Sequence, residues 1–106
     1  MELTDPLIIK YRDILLKKGR LELLEVLVPD RAVIDLIASM AGANAADALE
    51  RLTNLVEGKL DREAATQAYA ELTGVYDERL AVRSLARHVA MWYLRLAQEL
   101  GVIELG

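Results

Sequence analysis

Apolar positions recur along the chain at spacings of three and four residues, in runs separated by Pro, Gly, Asp or Asn. That periodicity is helical, and the separators supply the start and stop signals. The first run begins behind Asp5-Pro6 and reaches Lys17-Lys18 before Gly19. It predicts a helix with Asp5 as N-cap, Pro6 in the first turn, and basic side chains on the negative helix end. Leu21–Val28 follows, with Leu21, Leu24 and Val28 on one face and Glu22 and Glu25 opposite. This predicts a short helix before Pro29, although Val26-Leu27-Val28 fits an extended end equally well.

Asp30 then caps a third helix whose inner face is Val33, Ile34, Ile37 and Met40, closing at Gly42. Asn44 caps a fourth, with Asp47 in its first turn and Leu49, Leu52, Leu55 and Val56 as the buried stripe up to Gly58. Leu60-Asp61 has the form of a hydrophobic staple and N-cap for a fifth, which carries Ala64, Ala65, Ala68 and Leu72 before Gly74. Asp77 opens the longest helix, which runs to Leu100 with Gly101 at the stop. The tail Val102-Ile103-Glu104-Leu105 is apolar enough to dock as a strand or an irregular segment. Connections of two to four residues make consecutive helices neighbours. The expected fold is all-α: a compact bundle of five or six helices with a long C-terminal helix, forming a single helical domain over residues 1–106.

The last helix is the most informative. With Arg79 at 0° and an advance of about 100° per residue, Val82, Leu85, Val89, Trp92, Tyr93, Leu96 and Leu100 fall between about 220° and 320° as a core stripe. Arg79, Arg83 and Arg87 form a like-charge ladder at i, i+4 and i+8, with no acid three or four residues from any of them. Such pairs repel. Their charge must be met from outside the helix, by acids such as Glu50, Glu57 or Glu71 on a neighbouring helix, by water, or by phosphate oxygens that fit the guanidinium fork. Leu80, Met91 and Leu94 lie between about 60° and 120°, opposite the core stripe. A helix that is apolar nearly all round is either central in its bundle or buries a second face on a partner. In a domain this small a partner is the expected answer.

Composition narrows the chemistry. Of 106 residues 54% are hydrophobic, with twenty Leu and fifteen Ala, while Ser, Thr, Asn and Gln total ten. There is no Cys, which removes disulfides, thiolate metal sites and a cysteine nucleophile. One His with scattered carboxylates makes no metal cluster, and no cofactor motif of the G-x-G-x-x-G or G-x-x-x-x-G-K-S/T kind is present. The net charge of −4 gives no bulk support for nucleic acid, which is usually met by a basic excess. An acidic N-terminus without an apolar core does not read as a signal peptide, and no window of about 18 apolar residues suggests a membrane span. The expectation is a soluble cytoplasmic protein.

Two motifs stand out against this background. The third and fourth helices have helix-turn-helix spacing at Ala38 and Gly42. The would-be recognition helix, however, begins Ala45-Ala46-Asp47-Ala48-Leu49-Glu50, which presents Asp47 and Glu50 and no Arg, Lys or Gln to base edges. Arg83-Ser84-Leu85-Ala86-Arg87-His88 resembles the R-x4-H pattern of HEPN-type helical RNases, whose paired motifs meet at a dimer interface. The resemblance implies Arg83 and His88 as the working pair, with His88 as acid–base group. Ser84 departs from the Asn, Asp or His often found there, and Arg83 and His88 diverge by roughly 140° around the helix.

The chain is therefore expected to be a non-enzymatic helical interaction module with no catalytic residues. It would serve as a small subunit of a protein or ribonucleoprotein assembly, by analogy of size and class with the small subunits of CRISPR effector complexes. Leu80, Met91 and Leu94 are the expected partner interface, and Arg79, Arg83 and Arg87 the expected contact to an RNA or DNA backbone. The alternatives are a HEPN-like dimeric RNase and a homo-oligomeric bundle without nucleic acid.

Overall fold

Short polar side chains hold the first amides of every α-helix, which is why the helices begin where they do. Asp5 Oδ1 accepts from the Leu7 and Ile8 amides at 2.9 and 3.1 Å. Asp30, Asn44, Asp61 and Asp77 do the same for Val33, Ala46, Ala64 and Leu80. The computed structural model describes residues 2–40, 42 and 44–103. Among them it has five α-helices and no strand: α1 Pro6–Lys17, α2 Arg31–Ser39, α3 Ala45–Glu57, α4 Arg62–Thr73 and α5 Glu78–Glu99. A 3₁₀ segment, Leu21–Leu27, joins α1 to α2. Gly74 takes φ 75° to end α4, with its amide on the Ala70 carbonyl, a left-handed turn that a side chain would resist. No helix among the described residues is long and apolar enough to cross a membrane.

The core is built round α5. Its buried residues are Ala81, Val82, Leu85, Ala86, Val89, Ala90, Tyr93, Leu94 and Ala97, which span well over half of the helix circumference. They face α3 most extensively, then α4, with α1 and α2 also in contact. From α1 come Leu7, Ile8, Tyr11, Ile14 and Leu15, and from α3 come Ala48, Leu52 and Val56. The small Ala64, Ala65 and Ala68 lie on the buried face of α4. Two buried hydroxyls are satisfied within their own helices, Thr53 on the Leu49 carbonyl and Thr66 on the Arg62 carbonyl.

The structure corrects the expectations for Leu94, Leu21–Val28, Leu72 and Leu100. Leu94 is not on an outer face: it is 6% exposed and belongs to the protein's own core. The helix is apolar nearly all round because its own neighbours cover it on several sides. The run Leu21–Val28 is 3₁₀ over Leu21–Leu27 rather than α, with Val28 extended after it, and it buries Val26 and Leu27 while Leu21 and Val28 stay exposed. Its carbonyls are claimed by side chains of α5. Tyr93 Oη donates to the Val26 carbonyl, and Trp92 Nε1 donates to that of Leu27 at 3.3 Å. Leu72 and Leu100 are exposed at helix ends; around Leu72 the whole α4–α5 corner, residues 71–80, is exposed. The tail turns irregularly after α5 and buries Ile103, while Glu104 and Leu105 lie outside the described residues.

Candidate functional site

The three arginines of the expected ladder have different surroundings. Arg83 is drawn onto α3. Its Nη2 lies 2.6 Å from both carboxylate oxygens of Glu50, and its Nη1 is 2.9 Å from Asn54 Oδ1 and 3.4 Å from Glu57 Oε1. Positions 50, 54 and 57 share one face of α3 by helical spacing, so a single guanidinium spans two turns of the neighbouring helix. The hydrogen bond to Glu50 pushes the Arg83 pKa up against the opposing effect of burial, with the Glu50 and Glu57 charges adding to the rise. Glu71, the third acid expected to help, pairs with Lys10 instead.

Arg79 and Arg87 are exposed, and neither has a carboxylate partner among the described residues. Sequence reasoning missed a third cation of this kind. Arg95, also exposed and without a carboxylate partner among the described residues, follows Arg87 by the same eight residues that separate Arg87 from Arg79. The signal was present in the sequence, but a search at i, i+4 spacing stops at Arg87. Elsewhere, Arg12, Arg20, Arg31 and Arg62 each meet a carboxylate, while Arg51 on α3 is exposed without one among the described residues. Arg87 and Arg95 stand about 12 Å apart on the outer side of α5, whereas Arg79, about 12 Å further toward the helix start, is turned about 160° from Arg95 and shares a groove with Arg83 and Glu57. Leu80 and Met91 lie on that outer side, 46% and 43% exposed. Leu94 does not.

His88 sits at the edge of the same face. Its Nδ1 is 2.7 Å from Asp5 Oδ2, while the other oxygen of Asp5 caps α1. Two grooves meet at this pair. One, of about 430 Å³, runs past Met91, Trp92 and Arg95. The other, about 320 Å³, has Pro6, Leu7, Tyr69 and Leu72 in its lining and is the more apolar. Arg83 and His88 are therefore held by different helices, the first by α3 and the second by the start of α1. Ser84 lines the apolar groove beside His88. It lies inside α5, where backbone amides are spent on the helix and leave no donors for a developing oxyanion. Among the described residues no three His, Cys, Asp or Glu side chains gather in a way that could hold a metal ion.

No family model matches the chain, and no curated protein or solved structure shows significant similarity to it.

Proposed function

We propose that the chain is a non-enzymatic helical interaction module, a small subunit that meets its assembly through the outer face of α5. One observation carries this reading. Among the described residues Arg79, Arg87 and Arg95 lack carboxylate partners along a helix whose fourth arginine, Arg83, is held by α3, and Leu80 and Met91 stand exposed between them. Unpaired guanidinium groups beside exposed aliphatic side chains are the composition of an interface, where Arg and Met are enriched. The partner is anionic at its rim and apolar at its centre.

The test is the size of the particle that contains the chain in an extract of its native cells, read by gel filtration. Wild type should elute well above the mass of the free chain. Arg87→Glu together with Met91→Glu should return it to the free position without lowering the thermal midpoint, because both residues are exposed. Elution of wild type as the free chain overturns the reading. A second reading follows from the same cations: they contact a phosphate backbone, as in a ribonucleoprotein. Binding of single-stranded RNA that weakens steeply with salt, and is lost in Arg79→Glu with Arg87→Glu, would select that version.

A further inference from the structure

The 3₁₀ segment presents the chemical complement of the α5 face. Leu21 and Val28 are among the most exposed aliphatic side chains, at 61% and 69%. Between them stand the exposed acids Glu22 and Glu25. Glu22 is held below the usual carboxylate range by its own backbone amide and by Arg20, 3.2 Å away. Glu25 has no cationic partner among the described residues. With Glu22 matched by Arg20, the acid this aliphatic patch leaves without a partner is Glu25, in a groove that Lys59 also lines; the α5 patch, with Leu80, Arg87, Met91 and Arg95, is aliphatic and basic.

The two patches lie on different sides of α5. Tyr93 and Trp92 seat the 3₁₀ segment on α5 through the Val26 and Leu27 carbonyls. Tyr93 follows Met91 by two residues, which is about 200° around the helix. The segment therefore rests on the side of α5 turned away from Met91 and Arg87. One chain cannot bring its two patches together, but two chains can.

We infer that the outer face of α5 docks the 3₁₀ segment of a second copy of this chain, head to tail, with Glu25 of one copy against the Arg87–Arg95 stripe of the next. The inference rests on the reading of that face as a docking surface and names its occupant. Because the contact joins two different patches, each added copy leaves one of each free. The product is a ring if the rotation closes and an open chain if it does not. Charge complementarity sets the register, and salt weakens the contact.

Sedimentation velocity of the purified chain across a concentration series tests it. Wild type should pass from the 11.8 kDa chain to larger species as concentration rises, less so at high salt. Arg87→Glu and Glu25→Arg should each shift the midpoint of association at least tenfold to higher concentration. Mixing the two variants should restore association, because each reversed patch then finds a reversed partner; so should carrying both reversals in one chain. Circular dichroism checks that all variants stay helical. Three results overturn the inference: a wild type that stays at chain mass, an association that Glu25→Arg leaves unchanged, or one that appears only on adding RNA. If the purified chain is monomeric while the native extract still shows an assembly lost in the α5 variants, the docking surface stands and its occupant is another protein.

Discussion

Asp5 and His88 are joined across the start of α1 and the middle of α5, with Asp5 Oδ2 2.7 Å from His88 Nδ1. The other oxygen of the same carboxylate caps α1, so one side chain fixes where the first helix begins and which helix it leans on. Asp5→Ala loses both functions and is expected to cost about 1–2 kcal/mol, mostly from the cap. His88→Ala loses only the partly exposed pair, worth about 0.5 kcal/mol. Urea unfolding of the two single variants and the double should give a coupling well under 1 kcal/mol. A double variant no less stable than wild type would remove the pair from any structural role.

A second tie joins the middle of α1 to the start of α4. The Tyr11 hydroxyl accepts a hydrogen bond from the Asp61 amide at 2.9 Å, fifty positions along the chain, and Asp61 is the N-cap of α4. Tyr11 is fully buried. Tyr11→Phe keeps the packed ring but leaves the amide without its acceptor, a loss of about 1–2 kcal/mol. The amide proton of residue 61 should exchange faster with solvent in that variant than in wild type. Unchanged exchange with unchanged stability would show that water replaces the hydroxyl at no cost.

The helix starts were legible in the sequence because capping is local: Asp5, Asp30, Asn44, Asp61 and Asp77 act on amides two or three residues away. The acids for Arg83 were also legible, since a like-charge ladder without internal partners requires anions from elsewhere and Glu50 and Glu57 were at hand. What periodicity cannot show is which apolar direction a neighbour covers. Around α5 the direction that carries Arg79, Arg83 and Arg87 in the first half carries Ala90, Leu94 and Ala97 in the second, and the bundle buries the latter three. The 3₁₀ segment was illegible for a related reason. Its geometry is settled by Tyr93 and Trp92, more than sixty residues away.

Leu94 and Met91 make that distinction measurable. Both are apolar positions on the same helix, three residues apart, yet one is 6% and the other 43% exposed. Leu94→Ala removes packed methyl groups from the core and should cost about 2–4 kcal/mol, several degrees or more in the thermal midpoint. Met91→Ala should stay within about 0.5 kcal/mol of wild type. Equal effects at the two positions would contradict the assignment of Leu94 to the core and Met91 to the outer face.

Tyr93 gives the protein an alkaline limit. Burial pushes its hydroxyl up to about 12, with the charge of Asp30 adding to the rise; burial also raises Tyr11. An exposed tyrosine ionises near about 10, so between about pH 10 and about pH 12 the unfolded chain releases a proton that the folded chain retains. The unfolded state then binds fewer protons, and stability falls as pH rises. The contribution of Tyr93 is fully present below about pH 10 and is lost through about pH 12, with an upper magnitude of about 2–3 kcal/mol. Tyr93→Phe should be less stable than wild type near about pH 8, by about 1 kcal/mol, because the Val26 carbonyl loses its donor. Above about pH 11 the variant, with nothing to ionise at that position, should lose stability more slowly than wild type. Urea midpoints at the two pH values check both halves, and parallel losses in the two proteins would exclude Tyr93 as the group that sets the limit.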